Sequence, residues 1–202
     1  MKITSIALLL FIGISLKSMA QHPKRYYRQN FSNGAFFLHN SYIFLKNVKH
    51  TQKKIEKIPL YNHQKDSLRL SFRNVPSYIS LKMEPSAIAH KEQGHIILTY
   101  DASLNKEKNK QQHWGKDYKR IAVFIQGQEN KRYRTNYITV RAFITEDFSQ
   151  LTDKEKRKAP VIQWDTLIFN FDTVHSKTVV THDFVFTNKG KRDLEIRYAH
   201  AC

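Results

Sequence analysis

Cysteine is almost missing from this chain: one residue, Cys202, in 202. That excludes an internal disulfide framework and any Cys-rich zinc module. Glycine and proline are scarce as well, six and five residues, so a flexible low-complexity or collagen-like chain is excluded. Acidic residues are in short supply, 17 against 34 Lys and Arg, which leaves a formal net charge of +17. Long apolar runs are lacking too, apart from one at the start. Ile3 to Leu16 is almost continuously hydrophobic, yet shorter than the roughly 20 residues that a spanning helix needs.

That single run reads as a signal peptide. Met1 and Lys2 supply a basic start, and Ser18-Met19-Ala20 places small residues before a cleavage site at Gln21. Residues 1–20 are therefore expected to be removed on export, leaving no transmembrane span. The compartment would be the periplasm, the outer-membrane surface or the extracellular space. Loss of Lys2 and Lys17 takes +17 to +15. In an exported protein the polyanions to consider are lipid head groups, acidic glycans and stray nucleic acid. The basic residues are scattered among polar turns, as at Lys53-Lys54 and Lys156-Arg157-Lys158. Such spacing speaks for solvated loops and against specific nucleic-acid recognition.

What is present is alternation. Leu68, Leu70 and Phe72 alternate with Arg69, Ser71 and Arg73, which places the apolar side chains on one sheet face. Ile79-Leu81-Met83, Ile96 to Tyr100, Ile121-Val123-Ile125 and Ile138-Val140-Ala142-Ile144 extend the pattern. Tyr42 to Val48 and Lys57 to Tyr61 are weaker strands, with Pro59 pointing to an edge or a strand start. Short strands, frequent turns and 12% aromatic residues predict an all-β antiparallel β-sandwich. Its expected core joins Leu68, Leu70, Phe72, Val123, Val140 and Ala142. The segment Asn105 to Asp117 reads as a polar, hairpin-like insertion.

Between Glu146 and Pro160 the alternation stops. Thr152-Asp153-Lys154-Glu155 fits a capping box and predicts a short helical turn. Strands are then expected at Val161–Trp164, Leu167–Phe171, Thr178–Thr187 and Asp193–Tyr198. Asp66 to Asn74 and Val180 to Asn188 line up, each ending at Phe-x-Asn before a turn, as tandem modules would. In the second copy the turn contains Gly190, a residue free to take φ > 0. The resulting division is a signal peptide over 1–20, a mobile tail over 21–34 and a first sandwich over 35–146. A linker over 147–160 and a second module over 161–202 follow.

Chemistry is thinly represented. Motifs of serine hydrolases, phosphate-binding loops and zinc proteases are absent, so no catalytic residue, metal ligand or cofactor is assigned. His200-x-Cys202 is the tightest His/Cys pair, with no second pair at zinc spacing. Glu146, Asp147, Asp165 and Asp172 are read as turn caps. The candidate ligand-binding residues are Lys131, Arg132, Tyr133, Arg134 and Tyr137, where rings lie beside cations. Lys24-Arg25-Tyr26-Tyr27-Arg28 has the same composition inside the expected tail.

Phe169-x-Phe171-Asp172-Thr173-Val174, then Val179 to Gly190 and Leu194-Glu195-Ile196, resembles the signature of an uncharacterised bacterial secreted-protein family, a domain of unknown function. Trp114-Gly115, Arg120-Ile121 and Glu146 to Thr152 resemble its longer members, so the likeness covers most of residues 55–202. It implies immunoglobulin-like modules akin to Hydin-type and major-sperm-protein-type sandwiches, with no assigned catalytic residues. It also implies that the second module continues past Ala201-Cys202 into Cys-Gly-Cys and more strands. A partial second sandwich is therefore expected, from truncation in preference to completion by another chain. The expected role is a non-catalytic envelope module that binds another envelope protein, or itself through the incomplete module. The alternative is a module for glycans or polyanions that uses the basic-aromatic loops.

Overall fold

A computed structural model describes residues 26–131, 133–134 and 136–199. The expected signal peptide, Lys24, Arg25, Arg132, His200 and Cys202 lie outside the described residues. From Gln29 to Thr145 the alternating segments form nine strands in two sheets. They are β1 (Gln29–Phe31), β2 (Phe36–Leu38), β3 (Tyr42–Lys49), β4 (Lys53–Asn62) and β5 (Leu70–Arg73). Then come β6 (Ile79–Glu84), β7 (Gln93–Asp101), β8 (Gly115–Ile125) and β9 (Tyr137–Thr145). One sheet runs β1-β2-β4-β7-β6 and the other β3-β9-β8-β5. This is the immunoglobulin-like arrangement, in which the inner faces of two sheets interdigitate.

The apolar residues of each strand meet between the sheets. Leu68, Val123, Val140 and Ala142 are buried as the alternation predicts, while Leu70 and Phe72 pack on the core half-buried. The reason is position: β5 is an edge strand, paired with β8 alone.

One pairing departs from the antiparallel expectation. β2 runs antiparallel to β4, but the chain switches sheets at His39-Asn40-Ser41 and β3 runs parallel to β9. Asn40 holds the switch, accepting the Tyr42 N–H at 2.9 Å and donating to the Tyr42 carbonyl at 2.7 Å. A bulge between Leu45 and Val48 follows, where Asn47 takes φ 48°, a conformation Asn tolerates.

Two expectations are corrected at this level. Pro59 lies inside β4, a central strand between β2 and β7, and marks neither an edge nor a start. It is tolerated because β2 ends there. The Pro59 carbonyl accepts the His39 N–H at 3.0 Å, and no ladder bond asks for the missing N–H. Residues 26–34, expected in a mobile tail, are part of the sandwich. β1 pairs with β2, and Phe31 is fully buried and stacked on Phe36 at 5.0 Å. Tyr27 is buried as well, and burial with Tyr26 and Tyr61 nearby pushes its hydroxyl up to about 12.

A polar cluster closes one end of the core. Asp117 is buried and accepts hydrogen bonds from the Tyr100 hydroxyl at 2.9 Å, the Tyr78 hydroxyl at 3.3 Å and the Asn105 amide at 3.1 Å. Lys119 Nζ sits at 3.0 Å and balances the charge. Asn105 thus belongs to the core, with the polar insertion hanging from it.

After β9, Asp147 accepts from Lys49 Nζ at 2.8 Å, Thr51 Oγ1 at 3.0 Å and the Ser149 N–H at 3.0 Å, a turn cap as read. The Lys49 hydrogen bond, with those from Ser149, holds its carboxyl well below the usual range. Helix α1 (Asp153–Lys156) starts with the capping box on Thr152 and Glu155.

Candidate functional site

The candidate loop follows β8 and leads into β9. Lys131 and Arg134 are exposed, and Tyr133 and Tyr137 are half-buried. Asn136 pins the loop: its carbonyl oxygen accepts the Ser32 N–H at 2.8 Å and its amide donates to Ser32 Oγ at 2.7 Å. Tyr133 and Tyr137 line a 300 Å³ cleft together with Arg73, Asn74, Ala122, Phe124 and Asn136. The structure thus brings the two tyrosines together and leaves Lys131 and Arg134 off the cleft wall.

Arg73 and Phe124 were not among the sequence candidates. Arg73 stacks on Phe124 at 5.3 Å, and Arg120 stacks on Tyr137 at 4.2 Å. Cross-strand register makes these neighbours, since Arg73 pairs with Ala122 and Ala122 with Tyr137. Alternation marks all of them as outward-facing. Only the pairing shows that they face the same concavity.

A second candidate surface lies after Pro160. β10 (Ile162–Trp164) pairs antiparallel with β11 (Phe186–Asn188), and no other ladder forms among the described residues of this segment. Leu167–Phe171, Thr178–Val185 and Asp193–Tyr198, expected as strands, have no ladder partner here. A strand exists only where a neighbour accepts its hydrogen bonds. Their side chains still alternate. Phe169 and Phe171 sit edge to face at 5.0 Å, His182 stacks on Phe169 at 3.7 Å, and Phe184 meets His182 at 4.9 Å. Trp164 meets Phe186 at 5.1 Å. The layer stays open, with Phe169 46%, Phe171 42% and Phe184 47% exposed. By contrast, every buried hydrophobic side chain among the described residues lies between Tyr27 and Ile144. Within the layer His182 Nε2 is buried without a hydrogen-bond partner.

Gly190 serves a different purpose from the one expected. Its φ is not positive; a Cβ there would run into the Ala159 carbonyl and the Pro160 backbone. The glycine lets the 188–191 turn lie against Ala159 and Pro160, where Asn188 accepts the Val161 N–H at 3.1 Å.

No protein-family model matches the chain, and no curated protein matches it. Solved structures do. A protein of unknown function from Porphyromonas gingivalis W83 matches at TM-score 0.46 and 14% identity, over 65% of this chain and 56% of that one. A chain of the CsuC–CsuE chaperone–tip adhesion subunit complex, from the archaic chaperone-usher Csu pili of Acinetobacter baumannii, matches at TM-score 0.35 and 18% identity. There the match covers 77% of each chain. A PapD-like domain of human CEP192 matches at TM-score 0.37 and 10% identity, over 56% of this chain and 87% of that one. The chain thus spans just over half the length of the Porphyromonas protein.

Among the described residues, no group of three His, Cys, Asp or Glu side chains is placed to hold a metal ion. No helix among them is long and apolar enough to cross a membrane.

Proposed function

We propose that this protein is an exported, non-catalytic envelope module that binds other protein through residues 161–198. The observation that carries the reading is the aromatic layer of Phe169, Phe171, Phe184 and Phe186, outward-facing beside a core that ends at Ile144. Contiguous apolar surface of this kind drives association. Unladdered strand segments offer backbone groups to a further strand, as in recognition by strand addition. His182 Nε2 is one more group that a covering chain would satisfy. The occupant is a strand-bearing partner, either a second copy or another envelope protein.

Sedimentation of the chain from Gln21 onward tests the reading against a variant lacking residues 161–202. The longer chain is expected to dimerise, aggregate or take up a strand donor, and the shorter one to be monomeric and more soluble. A longer chain that stays monomeric at high concentration, with slow amide exchange across Phe184 to Tyr198, would overturn it.

A further inference from the structure

The outer face of the β3-β9-β8-β5 sheet carries a stripe of cations that the sequence scatters over three strands. Its side chains come from alternate residues, and strand pairing sets them in rows. Phe143 lies beside Lys116, and Phe44, Arg141 and Tyr118 form the next row. Tyr42, Thr139 and Arg120 form the third, and Tyr137, Ala122 and Arg73 the fourth. Each row holds one cation, and none holds an acidic residue. Rows stand about 7 Å apart, so the stripe runs for roughly 20 Å. A 240 Å³ cleft beside Lys116 and Arg141 marks one end, and the cleft beside Arg73 and Tyr137 marks the other.

The geometry points to an acidic polysaccharide, bearing uronate or sulfate groups, as the ligand of this face. Charge complementarity supplies the first reason. The four rows hold four cations, and the carboxylate beside them is Glu129, which accepts from Ser71 at 2.7 Å near Arg73. That surplus asks for a repeating anion. Ring geometry supplies the second. Phe44 is capped by Arg141 at 5.7 Å and Lys46 at 5.9 Å, Tyr137 by Arg120 at 4.2 Å, and Phe124 by Arg73 at 5.3 Å. The rings hold the guanidinium groups in place and leave their N–H forks for carboxylate or sulfate oxygens. Tyr42 and Tyr118, 45% and 55% exposed, carry no such cap among the described residues and offer flat surfaces to pyranose rings. This role goes beyond the protein-binding surface after Pro160, and it moves the glycan site from the Lys131–Tyr137 loop to the sheet beside it.

The test uses the chain from Gln21 onward with heparin and polygalacturonate as probes, and neutral dextran and a thymidine oligonucleotide as comparators. Both acidic polysaccharides should bind with an affinity that falls as salt rises, and dextran should not bind. The double variant Arg120→Gln, Arg141→Gln should lose at least about tenfold, the equivalent of one charge-assisted hydrogen bond. Lys57→Gln with Lys82→Gln removes the same charge from the outer face of the other sheet and should change affinity by less than about twofold. Arg120→Lys with Arg141→Lys, which keeps charge and removes the fork, should fall between them and guards against a folding defect in the Gln pair. Equal losses from the two Gln pairs would overturn the proposal by reducing it to net charge. So would an oligonucleotide that binds more tightly than either polysaccharide at matched salt, or the absence of polysaccharide binding.

Discussion

Asp117 shows how one side chain governs a buried region. It accepts from Tyr78, Tyr100 and Asn105, so removing it strands three donors in the core. Asp117→Ala should cost about 3–5 kcal/mol in urea unfolding, and Tyr100→Phe only about 1–2 kcal/mol. The same cluster sets a pH response. Burial first, and then the Asp117 charge, hold the Tyr78 and Tyr100 hydroxyls protonated well above their ordinary range. In the unfolded chain both ionise near pH 10, so above that pH the folded state binds more protons than the unfolded one. Stability is then fully present below pH 10 and falls above it, by roughly 1.4 kcal/mol per pH unit for each tyrosine. Tyr27 adds a smaller loss that ends at about 12. Replacing Tyr78 and Tyr100 by Phe should flatten the alkaline slope while lowering stability at neutral pH. An unchanged slope would mean that these hydroxyls reach solvent.

Among the elements, β1 and β5 mark the reach of periodicity. β5 announces itself through Leu68-Leu70-Phe72, yet alternation gives the face of a residue and not its depth. Phe72 on this edge strand is only half-buried, so Phe72→Ala should cost about 1.5–3 kcal/mol rather than the 3–5 of a sealed site. Gln29-Asn30-Phe31 is too short to show a period, and a three-residue strand soon after an expected signal peptide reads as tail. Phe31→Ala should nevertheless cost about 3–5 kcal/mol, because the ring is sealed between sheets against Phe36. Urea titration of the two variants side by side checks the order. Most of the sandwich core was legible because two-residue periodicity is local. Pro59 misled because its meaning depends on where β2 ends, a fact of pairing. The cleft of Tyr133 and Tyr137 was half legible for the same reason: its loop is contiguous, whereas Arg73, Phe124 and Arg120 arrive from other strands.

At the scale of the molecule, contacts of Arg197 and Tyr198 tie the segment after Pro160 to the sandwich. Tyr198 packs edge to face on Phe143 at 5.5 Å and lies over Gly115, whose φ of +77° and lack of a Cβ admit the ring. Arg197 sits over Trp114 at 5.5 Å and 3.5 Å from Glu146, and it also pairs with Glu195. Half-exposed ion pairs contribute about 0.2–1 kcal/mol, and a cation over an exposed ring about 0.5–1 kcal/mol. The anchor around Arg197 is therefore worth about 1–2 kcal/mol, far less than the sandwich beneath it. Arg197→Ala should speed amide exchange across residues 186–198 by about tenfold and leave β4, β7, β8 and β9 unchanged. Gly115→Ala should release the same segment, through collision with Tyr198, and also strain the start of β8. Exchange that rises equally in both regions of the Arg197 variant would mean that they open as one cooperative unit. The aromatic layer would then be held as firmly as the core, and a partner would meet it already in place. Faster exchange confined to 186–198 gives the layer freedom to rearrange around an incoming strand while the cation-bearing face of β3, β8 and β9 keeps its geometry.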